Sequence, residues 1–291
     1  MDYHGLSFDE VVKNIKELNI QGAERIARSA VYALGLKYKE GVRGDDLDVF
    51  ARQLKEARAT EPALRNALAF FAQNERNKNI ERDIMKHFED AKTKIAEIGA
   101  NKINDGMNVY THCHSSTVEA VIVEAHKRGM KIKVHNTETR PRYQGRITAE
   151  KLAAAGIEVH HFVDSCMSFA LMDVDLILFG ADSISSTGQI INKIGTRTVV
   201  NLANQYRIPC YCCTTSWKFN PDTLWGHDEE IEQRDPKEVW ADAPKGVVVH
   251  NPAFEVAPAD KVTGIISELG VLKPETLVTA IKDFYPWLMK V

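Results

Sequence analysis

The sequence predicts an α/β protein in which an all-helical N-terminal domain precedes a Rossmann-like domain built on a doubly wound parallel sheet. Two observations lead to this prediction. Residues 1–102 show apolar residues at helical spacing. In residues 103–291, short apolar runs alternate with helical segments, and this alternation is typical of parallel strands with helices on both faces.

Apolar stripes define the N-terminal domain. Ser7 is a candidate N-cap for the first stripe, because its hydroxyl can accept a bond from a free backbone N–H. That stripe consists of Phe8, Val11, Val12, Ile15 and Leu18, and a second stripe of Ile80, Ile84, Met85, Phe88, Ala91, Ile95 and Ile98.

Strands and helices alternate after residue 102. Strands are expected at 106–110, 131–136, 157–163, 174–180, 208–214 and 247–250. Helices are expected at 116–130, 147–155, 165–172, 196–206 and 258–269. Polar residues at the ends of these strands should meet in one crevice, since a doubly wound sheet binds ligands there.

Composition limits the function classes. The 291 residues carry a net charge of −3, so no general attraction to nucleic acid or to an anionic membrane is expected. No apolar run approaches the length of a membrane span, and the polar N-terminus does not read as a signal peptide. Cys210, Cys212 and Cys213 crowd one strand, where alternation points Cys212 and Cys213 to opposite faces. Reduced thiols, and hence a cytoplasmic protein, are expected.

Cys113 lies where a strand turns into a helix. A thiol there faces the free N–H groups and the positive dipole end of the helix. Both favour the thiolate, so we expect a lowered pKa and a sulfur that acts as a base or a nucleophile. The alternative is a small buried hydrophobic residue at a strand end.

Asp182 ends a later strand of the same predicted sheet. The run before it is short and continuously apolar, as expected for a strand covered on both faces. Asp182 and Cys113 can therefore converge on one crevice as two proton-transfer groups. The alternative is a turn or cap residue.

Basic residues lie near several strand ends. Arg140, Arg142 and Arg146 share one loop, and Lys193 and Lys218 follow later strands. Arginine binds phosphate through forked, charge-assisted hydrogen bonds, so this set suggests a substrate with more than one anionic group. A solvated basic loop is the alternative.

Common cofactor signatures are absent from the sequence. It contains neither GxGxxG nor GxxxxGKS/T, which argues against nicotinamide and nucleoside-triphosphate binding. His112 and His114 flank Cys113, but alternation points them away from the thiol, and no compact ligand set lies nearby. No metal and no cofactor are expected.

Segments in a fixed order resemble one superfamily. They are THCHSS at 111–116, ETRPRYQG at 138–145, GADS at 180–183, NKIGT at 192–196 and NPAF at 251–254. The superfamily holds aldose-phosphate isomerases and the regulatory subunits of the translation-initiation guanine-nucleotide exchange factor. The resemblance covers nearly the whole chain. Within the superfamily, the chain most resembles the archaeal ribose 1,5-bisphosphate isomerase branch.

The resemblance implies a reaction and an assembly. The branch converts α-ribose 1,5-bisphosphate into ribulose 1,5-bisphosphate in nucleoside-monophosphate degradation. By the match, Cys113 is the base that removes the C2 proton and Asp182 is the acid. AMP is an implied candidate activator, and dimers assembled into a homohexamer are the implied oligomer. Two alternatives remain open: an isomerase of methylthioribose 1-phosphate or another sugar 1-phosphate, and a non-enzymatic exchange-factor subunit.

The resemblance also implies substrate-binding residues. They are Gly22, Ala23, Glu24, Arg25, Arg58, Arg140, Gln144, Asn192, Lys193 and Lys218. The chain departs from the family pattern at Gln21, where an arginine is usual, and at Ala59, where a proline is usual. Gln21 lacks the positive charge with which the usual arginine contacts phosphate, and Arg25 is expected to make that contact instead.

Overall fold

The N-terminal region folds into helices, as its apolar stripes predict. The computed structural model describes residues 2–58 and 60–290. Ser7 and Glu10 form a capping box: the Ser7 side chain accepts a bond from the Glu10 N–H, and the Glu10 carboxylate accepts one from the Ser7 N–H. The helices are α1 (Phe8–Lys16), α2 (Ala23–Lys39), α3 (Gly44–Ala57), α4 (Pro62–Gln73) and α5 (Ile80–Ala100).

The rest of the chain is built around a mainly parallel sheet, with helices between its strands. Its elements in chain order are β1 (Asn108–Thr111), α6 (Ser116–Lys127), β2 (Lys133–Thr137), α7 (Gln144–Ala154), β3 (Glu158–Phe162), α8 (Met167–Ala170), β4 (Leu176–Phe179), β5 (Ser183–Ile184), β6 (Ile190–Lys193), α9 (Thr196–Tyr206), β7 (Cys210–Cys213), β8 (Phe254–Ala257), β9 (Gly264–Ser267), β10 (Gly270–Leu272) and α10 (Pro274–Phe284). The main sheet has the order β10-β9-β7-β4-β1-β2-β3, with β10 antiparallel to β9 and the other neighbours parallel. The predicted α/β class is confirmed.

Core packing covers both faces of this sheet. Cys210 and Cys212 join the hydrophobic cluster that contains the N-terminal helices, whereas Cys213 joins the cluster that contains α6. The predicted alternation of these cysteines is confirmed, and their thiols are free. The N-terminal helices therefore share one core with a face of the sheet. The predicted division after residue 102 falls between α5 and β1.

A small antiparallel sheet, which was not predicted, stands at the end of β4. Its strand order is β5-β6-β8. It is connected to the site because the Asp182 N–H donates to the carbonyl of Ile191 in β6 at 2.9 Å. The strands are short and separated by a turn and a long loop, so the sequence offers little periodicity by which to find them.

Three expected elements differ in the structure. The helix expected at 258–269 is wrong: a short 3-10 turn leads into β9, whose residues are all buried between β7 and β10. Pairing with neighbouring strands outweighs the local pattern there. The strand expected at 247–250 is also wrong, because Val247 and Val248 lie 46% and 78% exposed in a loop without a partner strand. The helix expected at 165–172 is shortened to a 3-10 turn and α8.

A helix that crosses a bilayer needs about 20 consecutive, mainly apolar residues. No helix in residues 2–58 or 60–290 combines the length and the apolar character needed to cross one.

Candidate active site

The candidate active site is a cavity at the carboxyl ends of the central strands, next to the N-terminal helices. Its volume is about 600 Å³. Neighbouring strands each deliver a side chain: Lys218 follows β7, Asp182 follows β4 and Cys113 follows β1. Because these strands are parallel, their carboxyl ends meet at one edge, where α/β sheets bind their ligands.

Nearly all the predicted site residues line this cavity. They are Gly22, Ala23, Glu24, Arg25, Arg58, Cys113, Gln144, Asp182, Asn192, Lys193 and Lys218. Arg140 is the exception: it is exposed, and its guanidinium donates to the Tyr143 hydroxyl and to the Val239 carbonyl. Gln21 also lines the cavity. Ala59, the other departure from the family pattern, lies outside the described residues.

The backbone at Cys113 is held in an unusual conformation. Its φ is +66°, in the left-handed region that side chains larger than glycine rarely adopt. Hydrogen bonds on both sides fix it: the Cys113 N–H donates to Thr139 Oγ1 at 3.1 Å, and its carbonyl accepts from Thr148 Oγ1 at 2.9 Å. Such strain persists only where the surroundings impose it, and it is common at active sites.

The thiol of Cys113 is less acidic than the sequence suggested. Burial raises its pKa to about 11, and the Asp182 carboxylate adds to this rise, while Lys193 opposes it. The expectation of a lowered pKa is therefore wrong. The physical reason is that α6 begins only at Ser116, with Ser115 as its N-cap, so desolvation at Cys113 outweighs the field of the helix.

Asp182 reaches the cavity because β4 ends in a close approach to the β1–α6 turn. A Cβ atom on Gly180 would lie 2.6 Å from Ser115 Oγ, so only glycine fits between the two segments. Beyond that glycine, the chain turns into β5, and Asp182 lies partly exposed in the cavity wall. The close approach places Asp182 in the same wall as Cys113.

Two lysines supply buried positive charge. Lys193 and Lys218 are each 8% exposed. Lys218 Nζ donates to the Ala181 carbonyl, and Lys193 Nζ lies 4.5 Å from the centre of the Phe254 ring. Within residues 2–58 and 60–290, neither ammonium forms an ion pair within 4 Å. A buried cation without an acidic partner is costly, so these lysines favour an anionic ligand.

Arg58 is engaged by carboxylates. Its Nη atoms donate to both oxygens of Glu232, at 2.7 and 2.6 Å. Its Nε lies 3.6 Å from Glu61 Oε1. Arg58 can therefore make the expected phosphate contact only if its hydrogen bonds to Glu232 break.

Glu61 and Arg234 are among the ionisable residues of this cavity that sequence reasoning missed. Glu61 is 2% exposed, and the side chain of Arg234 is 8% exposed and pairs with Glu238 at 2.9 Å. Both line the cavity. Glu61 stands three residues after Arg58, which was the only available signal. Nothing in the sequence indicates that the loop bearing Glu232 and Arg234 folds back onto this site.

Amides contribute polar groups to the cavity. Gln144 begins α7, and its buried Oε1 has no hydrogen-bond partner in the described part of the chain. Asn192 Nδ2 donates to Thr196 Oγ1 at 2.9 Å. Gly145 lets α7 start against β2, since a Cβ there would lie 1.8 Å from the Thr137 carbonyl oxygen. Gln144 thus offers a free acceptor to a ligand hydroxyl.

The histidines beside Cys113 contact protein groups. His112 Nε2 lies 2.8 Å from the Ile194 carbonyl, and His114 Nδ1 lies 3.1 Å from Thr148 Oγ1. Burial lowers the pKa of both imidazoles. These neutral rings fix the β1–α6 turn on either side of the thiol.

Most of the chain matches one family of known proteins. The model of the "Initiation factor 2 subunit family" matches residues 19–274. Ribose 1,5-bisphosphate isomerase of Thermococcus kodakarensis is 36% identical, over 97% of this chain and 95% of that protein. Methylthioribose-1-phosphate isomerase of a Thermoanaerobacter species is 34% identical, over 89% of this chain and 86% of that protein.

A solved structure agrees in fold. The Pyrococcus horikoshii protein described as translation initiation factor eIF-2B has a TM-score of 0.83 and 29% identity, over 92% of this chain and 97% of that one. The predicted superfamily resemblance is confirmed. The chain belongs to the initiation factor 2 subunit family.

Proposed function

We propose that this protein is an aldose–ketose isomerase that converts α-ribose 1,5-bisphosphate into ribulose 1,5-bisphosphate. The observation that carries the proposal is that a thiol and a carboxylate, Cys113 and Asp182, line one cavity together with the buried cations Lys193 and Lys218. Relatives of similar length that bear the name ribose 1,5-bisphosphate isomerase support this substrate.

Cys113 and Asp182 carry the proton transfers to and from the substrate. Asp182 as an acid gives its proton to the ring oxygen while the bond from that oxygen to C1 breaks. The Cys113 thiolate takes the C2 proton, which leaves an enol that still carries the C1 phosphate. The Cys113 thiol then returns the proton to C1, and Asp182 takes the proton of the C2 hydroxyl as the ketone forms. Both groups end as they began, and the substrate is neither oxidised nor reduced.

The thiolate is scarce but strongly basic. With a pKa of about 11, it is a minor species at neutral pH, and Lys193 is the neighbouring cation that favours it. A base of high pKa removes a carbon-bound proton more readily, which offsets its low population. Removing the thiol should therefore abolish turnover, because a serine hydroxyl is far less acidic.

A second candidate is an isomerase of a sugar with a single phosphate, such as methylthioribose 1-phosphate. The pairing of Arg58 with Glu232 favours it, because this guanidinium has a carboxylate on both Nη atoms. The two substrates differ at C5, where one carries a phosphate and the other an apolar thioether. Substrate competition therefore separates the candidates.

The decisive experiment follows isomerisation by NMR with α-ribose 1,5-bisphosphate, methylthioribose 1-phosphate and ribose 5-phosphate in parallel. We expect turnover of the bisphosphate. Loss of one phosphate leaves buried cations unpaired, which costs about 2–5 kcal/mol, or about 30- to 5,000-fold in kcat/KM. Equal turnover of ribose 5-phosphate would refute the two-phosphate reading.

Variants assayed in the same way test the proposed proton transfers. Cys113→Ser and Asp182→Asn should keep the fold and bind substrate within about tenfold, yet lose several orders of magnitude in kcat. Cys166→Ser is the matched control, since Cys166 is also partly exposed but does not line the cavity. Near-normal turnover of Cys113→Ser would exclude the thiolate base.

The wider setting belongs to the same proposal. We place the protein in the cytoplasm, in nucleoside-monophosphate degradation, with AMP as a candidate activator and dimers assembled into a homohexamer as its oligomer. Free cysteines support a reducing compartment. The other points rest on the family resemblance. Size measurement in solution tests the assembly, and the turnover rate with and without AMP tests the activation.

A further inference from the structure

Glu61 is a buried carboxyl group for which the proposed mechanism has no role. It lies just before α4, is 2% exposed and lines the cavity together with Asp182. Its Oε2 atom is inaccessible to solvent and has no hydrogen-bond partner in the described part of the chain. Burying a carboxylate oxygen without a partner is expensive, so the group must gain either a proton or a ligand.

Charged side chains from several elements face Glu61. Arg58 comes from the end of α3, Asp182 from the end of β4, Lys218 from the 3-10 turn after β7, and Glu232 from the loop before β8. Burial and the Asp182 carboxylate raise the pKa of Glu61 to about 8, whereas Arg58 and Lys218 oppose the rise. Glu61 is therefore mainly protonated at neutral pH.

Arg58 does not need Glu61 as a counter-charge, so pairing with Arg58 does not explain why a carboxyl group is buried at position 61. Both Nη atoms of Arg58 are already bound by Glu232 at 2.7 and 2.6 Å, whereas Glu61 stands 3.6 Å away from Nε. Two carboxyl groups that line one cavity share a proton more readily than they both ionise.

We propose that Glu61 is a positioning residue that acts through Asp182, so that the two carboxyl groups hold one proton between them for delivery to the sugar. The proposal rests on the isomerase function proposed above. The shared proton passes from Glu61 to Asp182, and Asp182 gives it to the ring oxygen, which leaves both carboxyl groups ionised. Asp182 then takes the proton of the C2 hydroxyl and returns it to Glu61, so the pair regains the one proton it gave.

The kinetic test is the pH profile of Glu61→Gln, which keeps the shape of the side chain but cannot carry the proton. The wild-type kcat/KM should rise with pH and change slope near pH 8, where the pair loses its proton. In Glu61→Gln this break should disappear, and kcat at neutral pH should fall about 100-fold or more, while KM changes little. Glu61→Asp, which can titrate, should recover part of the rate and the break.

A measurement without turnover keeps this proposal separate from the isomerase function. The infrared carbonyl band of a protonated carboxyl group should titrate near pH 8 in the wild type and be missing in Glu61→Gln. In Asp182→Asn its midpoint should fall, because the Asp182 charge no longer raises it. These shifts would support the shared proton even if no sugar phosphate is turned over. An unchanged midpoint in Asp182→Asn, or a wild-type pH profile in a folded Glu61→Gln, would overturn it.

Discussion

The ionisation of Cys113 gives a direct test of how burial and Lys193 compete at this site. The thiol pKa is about 11, against an ordinary value of 9.0. Because only the thiolate reacts with iodoacetamide, the alkylation rate follows the thiolate fraction. From about pH 8 to about pH 10, that fraction rises about 90-fold for a pKa of 11, about 10-fold for an ordinary thiol, and hardly at all for a thiol activated below pH 7.

The assay is pulsed alkylation with mass spectrometry of the peptide that contains Cys113. Cys166→Ala is the background, because Cys166 is the other partly exposed cysteine. Far-ultraviolet circular dichroism at each pH confirms that the fold persists. Lys193→Met should slow alkylation at every pH, since Lys193 lowers the thiol pKa. A rate that levels off below about pH 9 would refute the reasoning that desolvation dominates.

Two further predictions concern Glu232 and His87. Glu232→Gln removes the carboxylate from Arg58; a charge-assisted hydrogen bond is worth about 1.5–3 kcal/mol, so KM for the bisphosphate should fall about tenfold or more, as measured by steady-state kinetics. An unchanged KM would mean that Arg58 does not bind the substrate. His87 stacks on Trp217 with ring centres 3.9 Å apart, and burial lowers its pKa to about 4. The unfolded chain takes up this proton first, so stability should fall by about 3 kcal/mol as the pH drops from about 6.5 to about 4. His87→Phe keeps the stacking but removes the titrating group. Between about pH 6.5 and about pH 4, its free energy of unfolding, measured in urea, should therefore fall by about 3 kcal/mol less than that of the wild type. An equal fall in both proteins would contradict the assignment.

The sequence by itself determined the framework of the site. Apolar runs mark the strands that carry Cys113 and Asp182 to one crevice, and the pleat period separates Cys212 from Cys213 onto two faces. These features follow from local rules, namely periodicity and the crevice at the carboxyl ends of parallel strands. They were sufficient to predict both residues of the proposed proton-transfer pair.

The contacts of the long loop before β8 were decided only by the tertiary structure. The chain offers no pattern that brings Glu232 to Arg58, since the two are 174 residues apart in sequence, with β1 to β7 between them. The failed strand at 247–250 lies in the same loop. Pairing of distant segments depends on which surfaces the core leaves available, and this information is not local.

The pKa values of the site groups could likewise not be predicted from the sequence. Local reasoning placed Cys113 near a helix dipole and predicted a lowered pKa, yet burial raises it to about 11. The sequence did not single out Glu61, yet it is buried in the same cavity wall as Asp182, and its pKa is raised to about 8. The sequence determines which titratable groups are present and which strand ends bear them. Only the folded structure decides how much water each group loses and which charges face it, and desolvation is the largest contribution to both pKa shifts.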